Sequence, residues 1–336
     1  MSADQEKMQA IVQRRYGTDP EKVLRLEQVP KPEMNDDEVL IRVRAAGVDA
    51  GTMLLMTGVP YLMRVAGFGL RGPKTQVPGW AVAGVVEAVG KAAFGLRPGD
   101  EVFGTCRGSF AQYAVTRPSR LALMPASMTF EQAAALPNSA TTALQAVRDR
   151  AQVRPGQHVL VIGASGGVGS YAVQIAKSLG AEVTGTCRPA KADLVRAIGA
   201  DHVLDYTSTD ISTGQRRYDV IIDIAGDRPI ARMRRILTPT GTLVITGGTG
   251  SAWLGGMTRH LRVRIVSAIA RQTLTSFIAF ERQADLNDIR ELADSTALSS
   301  AIDRAYPLDD AAAAIRQLIE GRVRGKVVIS VDAGAH

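Results

Sequence analysis

The run Val159-Leu160-Val161-Ile162-Gly163-Ala164-Ser165-Gly166-Gly167-Val168-Gly169-Ser170 constrains this chain more than any other stretch. Its apolar start reads as a strand covered on both faces, and the helical pattern Tyr171 to Leu179 follows directly. The glycines between them let the backbone turn tightly and bring a pyrophosphate against a helix N-terminus. The spacing departs from strict G-x-G-x-x-G, because Ala164 holds the first position while Gly166 and Gly169 hold the other two. The context compensates: a strand precedes the turn, a helix follows it, and a second β-rich run, Ala181 to Cys187, comes where a ribose should lie. Ala164, Ser165, Gly166, Gly167, Val168 and Gly169 are therefore expected to form a dinucleotide-binding turn.

The end of that second run bears on which dinucleotide. An NAD site normally places an Asp or Glu there, to accept from the ribose 2'-hydroxyl. This chain has Cys187-Arg188-Pro189-Ala190-Lys191 instead, with no carboxylate to repel a 2'-phosphate. Arg188 and Lys191 supply donors and positive charge, and the planar fork of an arginine suits phosphate. The expectation is NADPH over NADH; the alternative is that both cations are solvated residues opening the next helix.

At 336 residues, with 46% apolar residues, the chain exceeds one typical core and reads as two domains of a globular enzyme. Cys106 and Cys187 are its only cysteines, too few for a disulfide framework or a four-cysteine zinc lobe. Residues 1–7 are polar and read as a disordered extension, without the apolar core of a signal peptide. No apolar run approaches the roughly 18 residues of a membrane span, so the expected location is cytoplasmic. The net charge of +7 raises a nucleic-acid partner as an option. The arginines are scattered without interleaved aromatics, however, so none is expected.

Along the chain, short β-type runs at 39–44, 82–89, 101–103 and 110–115, punctuated by Gly and Pro, describe a β-rich N-terminal domain ending near Pro125. Thr129, with Gln132 three residues on, reads as a capping box where helices begin to alternate with strands. Helix 190–198, strands 202–206 and 218–224, helix 228–237 and strand 242–246 continue that alternation, which predicts a doubly wound parallel sheet. A C-terminal helix over 308–320 and a strand over 326–331 are less tied to it. The boundaries drawn are 1–132 with 282–336 returning to it, and 133–281.

Residues 53–72 are apolar but broken by Gly58, Pro60, Gly67 and Gly69, which suits an ordered loop or lid better than a long helix. Residues 252–280 mix apolar residues with arginines. A core-facing helix with snorkelling polar groups is favoured there over a peripheral membrane contact. The strand-like 274–280 either continues the sheet across a homodimer or packs internally.

Asp37-Glu38-Val39-Leu40-Ile41, Ala46-Gly47-Val48-Asp49, Pro78-Gly79-Trp80, Pro98-Gly99-Asp100-Glu101-Val102, the 163–169 turn, Gly199-Ala200-Asp201-His202 and Gly325-Lys326-Val327-Val328 occur in this order. With them the chain resembles a medium-chain dehydrogenase/reductase of the zinc-independent, quinone oxidoreductase-like branch. The resemblance runs over nearly everything from Met8 and implies an α/β fold, a GroES-like β-rich substrate domain joined to a Rossmann doubly wound parallel-sheet domain. In zinc-using members three positions ligate the metal; by motif these are Asp49, Trp80 and Asn138 here. A tryptophan indole has no lone pair for a metal, so no metal is expected.

The resemblance further implies that Thr142 and Asp49 lie near the nicotinamide. It also brings Lys191 and Tyr206 near the 2'-phosphate, and Gly247 and Gly248 near the carboxamide. Cys187, Ala225 and Lys326 complete the expected cofactor set. Asp49 stands where zinc-free relatives often carry Asn. Tyr61, on the lid, is the nominated proton donor or oxyanion partner. The implied chemistry is hydride transfer from NADPH to a quinone or to the C=C of an α,β-unsaturated carbonyl compound, with a hydrophobic small molecule as substrate. A metal-free ketone or alcohol dehydrogenase, and a nucleotide-binding interaction protein with a basic surface, stand as alternatives.

Overall fold

The computed structural model describes residues 6–211, 216–226, 228–246, 263, 267 and 271–331. Backbone proximity divides the chain into two compact units, Met1–Asn138 with Glu281–Ser295 and Ser300–His336, and Ser139–Phe280 with Thr296–Ser299. The first unit begins with the antiparallel pair β1 (Lys7–Gln13) and β2 (Leu24–Pro30). Then follow β3 (Val39–Val48), β4 (Ala81–Val89), β5 (Glu101–Thr105), β6 (Tyr113–Thr116) and β7 (Leu121–Leu123).

The second unit holds β8 (His158–Ile162), β9 (Glu182–Cys187), β10 (His202–Asp205), β11 (Tyr218–Asp223), β12 (Leu237–Ile245) and β13 (Thr273–Ser276). The last strands, β14 (Ile302–Pro307) and β15 (Lys326–Ser330), join the first unit's larger sheet, whose order is β14-β15-β3-β4-β5-β7 with β6 also paired to β3. This is the GroES-like β-rich part of the chain.

Strand alternation gives that sheet two apolar faces. Val39, Ile41 and Val43 pack with Val82, Val86 and Val102 on one side. Ala46 and Val48 pack with Val327 and Ile329 on the other. There the helix Ala311–Ile319 contributes Ala311, Ala314 and Ile315, the i, i+3, i+4 spacing that puts one helical stripe on a core.

The helix Phe130–Ala134 starts with the capping box read from sequence. Gln132 N donates to Thr129 Oγ1 at 3.3 Å, and Thr129 N donates to Gln132 Oε1 at 2.9 Å. Thr129→Ala should cost about 1 kcal/mol, the usual value of an N-cap, with no change in nucleotide binding. Urea unfolding with and without cofactor checks both halves of that expectation.

The second sheet runs β10-β9-β8-β11-β12-β13, parallel throughout. Numbered from its own first strand the order is 3-2-1-4-5-6, that of a dinucleotide-binding Rossmann domain. β8 is buried on both faces, as its unbroken apolar run requires, and Leu160 and Ile162 pack with Ile221, Leu243 and Ile245. The crevice favoured for ligands lies at the carboxyl ends of β8 and β11, where the winding reverses. The strand-like run near 274 is short: β13 covers Thr273–Ser276 and pairs with β12 as the sheet's outermost strand.

Residues 53–72 differ from the loop expected of them. Met53 to Thr57 belong to the helix Ala50–Thr57, which stops at Gly58 with φ 62°. That left-handed conformation is open to glycine at little steric cost. A short turn of helix at Tyr61–Met63 continues into Arg64–Phe68, where it is kinked by Gly67, whose φ of 116° is not helical. Gly247 and Gly248, and most of 252–280, lie outside the described residues. Among the described residues no helix is long and apolar enough to cross a membrane.

Candidate functional site

In the second unit the turn after β8 delivers the chain into the helix Gly167–Ser178, whose N-cap is Gly166 with no side-chain cap. The uncapped first-turn N–H groups, with the positive end of the helix dipole, are donors of the kind that can take phosphate oxygens. Close packing holds the turn in place. A Cβ on Gly169 would lie 2.1 Å from the Gly163 carbonyl oxygen and 2.8 Å from Ala164 Cα, so the helix can approach the strand end only through a glycine. Gly163 N donates to Thr186 Oγ1 at 3.2 Å and Ala164 N to Thr186 O at 3.0 Å, which ties the turn to β9. On the other side, Ala225 faces Gly163. The next turn is held by Gly226 N donating to the buried Asp223 at 2.9 Å.

A surface depression of about 330 Å3 opens at the end of β9, lined by Cys187, Arg188, Arg196, Asp193 and Asp205 among others. Arg188 Nε donates to Tyr206 Oη at 2.9 Å, which brings together two of the residues assigned to the 2'-phosphate. Arg196 joins them. The sequence reading missed it because its partner at Asp193, three residues back at 3.0 Å, makes it resemble an ordinary helical ion pair. Burial pushes the Cys187 thiol up, Asp205 adds to this, and the positive charges of Arg196 and Lys191 oppose it. Cys187 is thus a buried wall residue whose thiol is favoured over its thiolate. The Asp205 carboxylate is held low by the Thr207 hydroxyl and amide and by Ser208, bonds that engage it within its own turn.

In the first unit Asp49 caps the helix Ala50–Thr57, accepting from Thr52 N at 3.0 Å, while its other oxygen accepts from Asn138 Nδ2. Lys326 lies beside them at 3% exposure and donates to Val48 O at 3.2 Å. Burial lowers its proton affinity and the Asp49 charge opposes that shift. Lys326 is thus a structural neighbour of Asp49 within the first unit.

The consequence for stability has a definite sign. A lysine with a lowered folded-state value leaves the unfolded chain holding more protons between that value and the ordinary 10.5. Stability should therefore rise with pH across that interval, and Lys326→Met should remove the rise. Denaturant midpoints of both proteins between about pH 7 and pH 10 test this, and equal slopes would contradict it.

The lid segment forms one wall of a cavity of about 310 Å3 that also belongs to the first unit. Tyr16, Phe68, Val77 and Trp80 line it, with Lys74 and Arg107 as its cations. Tyr16 Oη donates to Phe68 O at 3.1 Å and Gly69 O at 2.9 Å, fastening the segment. Tyr61 is not one of its walls. Its ring instead stacks on the Arg64 guanidinium at 4.7 Å, with Tyr16 stacked on the same group at 4.3 Å. Thr142 lies half-buried in the helix Pro137–Leu144.

The profile described as alcohol dehydrogenase GroES-like domain matches residues 35–126, and that described as zinc-binding dehydrogenase matches 198–329. The chain is 29% identical to a quinone oxidoreductase of Sus scrofa over 98% of its own length and 99% of that protein. It superimposes on the quinone oxidoreductase of Coxiella burnetii with a TM-score of 0.85 at 27% identity, covering 97% of this chain and 100% of that one. The chain belongs to the medium-chain dehydrogenase/reductase family, in its quinone oxidoreductase-like branch. Within this family it is also 36% identical to an NADPH-dependent alkenal/one oxidoreductase, chloroplastic, of Arabidopsis thaliana, over 61% of its own length. That match spans 54% of the relative, so the chain corresponds to about half of the plant protein.

The resemblance assigns the family's zinc positions to Asp49, Trp80 and Asn138 here. Among the described residues no group of three or more His, Cys, Asp or Glu is placed to hold a metal ion. The Asp49 carboxylate is already occupied by Thr52 and Asn138, and a tryptophan supplies no ligand. This donor set does not fit zinc.

Proposed function

We propose that the chain is an NADPH-dependent oxidoreductase that works without zinc and reduces a quinone or the C=C of an α,β-unsaturated carbonyl compound. The observation that carries this reading is the glycine turn after β8 at the head of an uncapped helix, followed by a β9 end that offers arginines where an NAD site offers a carboxylate. The quinone oxidoreductases and the alkenal/one oxidoreductase among its relatives support the substrate class.

When bound, NADPH would supply the hydride for the β-carbon of the enone and become NADP+, and solvent would supply the proton at the α-carbon that completes the saturated ketone. The chain's part is to bind and orient. The first-turn amides of Gly167–Ser178 take the pyrophosphate, while Arg188, Lys191 and Tyr206 take the 2'-phosphate. Thr142 and the Asp49–Asn138 pair are assigned to positioning near the reacting groups. Without a Lewis acid, a charge that spreads into an enolate is easier to carry than a localised alkoxide. This favours C=C reduction over carbonyl reduction.

Product analysis decides between the enzyme readings. Incubation with NADPH and an enone should yield the saturated ketone. An allylic alcohol as main product would replace this reading with the metal-free ketone or alcohol dehydrogenase.

A further inference from the structure

The cavity beneath the lid segment has a charge of one sign. Besides Tyr16, its only ionisable wall groups are Lys74 and Arg107, and no carboxylate lines it. Among the described residues neither cation has an ion-pair or side-chain hydrogen-bond partner. Both are fixed to the turns that build the walls. Lys74 N donates to Phe68 O at 2.9 Å. Arg107 sits between Cys106, whose N donates to Trp80 O at 2.8 Å, and Gly108, whose N donates to Gly79 O at 3.0 Å.

Trp80 occupies one of the family's metal-ligand positions, so the cavity reaches the residue that replaces a ligand. Its walls suit hydrocarbon, and its volume falls at the lower end of ordinary ligand sites, which run from about 300 Å3 upward. Lys74 and Arg107 are both exposed, and a concave apolar surface with two cations and no acid carries a positive potential. The guanidinium fork matches the two oxygens of a carboxylate, and the lysine adds a second, more mobile charge.

We propose that Arg107 and Lys74 determine specificity: the substrate is an α,β-unsaturated ketone whose apolar chain carries a carboxylate, held by these two residues. This rests on the reductase reading, which a neutral enone would satisfy equally well. The cations are not part of the hydride-transfer chemistry; they select and orient.

The test compares 7-oxonon-8-enoate with its methyl ester, by NADPH oxidation at low and high salt, in the wild type, in Lys74→Gln/Arg107→Gln and in Arg107→Glu. The acid should exceed the ester in kcat/KM by about tenfold or more at low salt, chiefly through KM, and salt should reduce the ratio. The ratio should fall towards one in the double variant and below one in Arg107→Glu. A folding defect changes both rates together and leaves the ratio intact.

Equal kcat/KM for acid and ester in the wild type, or an undiminished ratio in the double variant, overturns the proposal while the reductase reading stands. Calorimetric titration of the saturated 7-oxononanoate covers the case in which neither compound turns over. Salt-sensitive binding that the double variant loses would uphold the anion site, and the failure would then fall on the enone half of the reductase reading. No binding would overturn the site as well.

Discussion

Gly169→Ala should reduce NADPH affinity by about 100-fold or more and lower the protein's stability, whereas Gly166→Ala should lower affinity alone. The two glycines sit three residues apart in the same turn but face different constraints. A Cβ at Gly169 meets the Gly163 carbonyl oxygen at 2.1 Å, backbone against backbone, so no side-chain rotation relieves it. The helix Gly167–Ser178 must back away from β8, at a cost of about 1–3 kcal/mol typical of overpacking, and its amides leave the pyrophosphate position.

At Gly166 the nearest neighbour of an added Cβ is the Gly163 oxygen at 3.5 Å, an ordinary contact. The fold accepts that methyl. It would occupy the space where the proposed site brings the pyrophosphate to the turn. Nucleotide fluorescence titration and thermal unfolding of both variants read this out. Unchanged stability in Gly169→Ala would contradict the packing argument, and unchanged affinity in both would contradict the assignment of the turn.

Arg188→Ala should raise the Kd for NADPH by about 10- to 100-fold and leave NADH nearly unaffected. A charge-assisted hydrogen bond to phosphate is worth about 1.5–3 kcal/mol, and NADH has no 2'-phosphate to lose. Tyr206→Phe should have a smaller effect in the same direction, because Tyr206 Oη orients Arg188 through the 2.9 Å bond to its Nε. A parallel loss for both nucleotides would mean that Arg188 supports the fold of the β9 end instead of reading the phosphate. No loss for either would shift the 2'-phosphate contact to Lys191 or Arg196.

The parts of the molecule that could be read from sequence are those whose causes are local. An apolar run, a glycine turn and an amphipathic helix are neighbours in the chain, so β8, its turn and the helix after it were visible together. Thr129 and Gln132 are three residues apart, and their capping box formed as read. What escaped depends on chain-distant contacts. Asp49 meets Asn138 across 89 residues and Lys326 meets Val48 across 278. The family pattern marked these positions, while the Asp49 bonds that occupy its carboxylate emerge only from the fold.

Lys74 and Arg107 are unremarkable surface cations in the sequence. They become wall groups of one cavity because the turns at Phe68 and Gly79 bring them there. The lid was misjudged for a different reason. Gly58 and Gly67 argued for loop, whereas each interrupts short helical pieces: Gly58 ends Ala50–Thr57, and Gly67 breaks Arg64–Phe68 with a non-helical φ of 116°. A glycine marks where a helix stops or deforms, and leaves open how much helix stands on either side.

The central claim is that the turn after β8 and the arginine-bearing end of β9 form an NADPH site. Titration of the intact chain with NADPH and then NADH, followed by nicotinamide fluorescence, tests it most directly. Saturable binding of NADPH, tighter than that of NADH, is expected, with affinity that weakens as salt screens the phosphate contacts. Absence of binding by either nucleotide would contradict it.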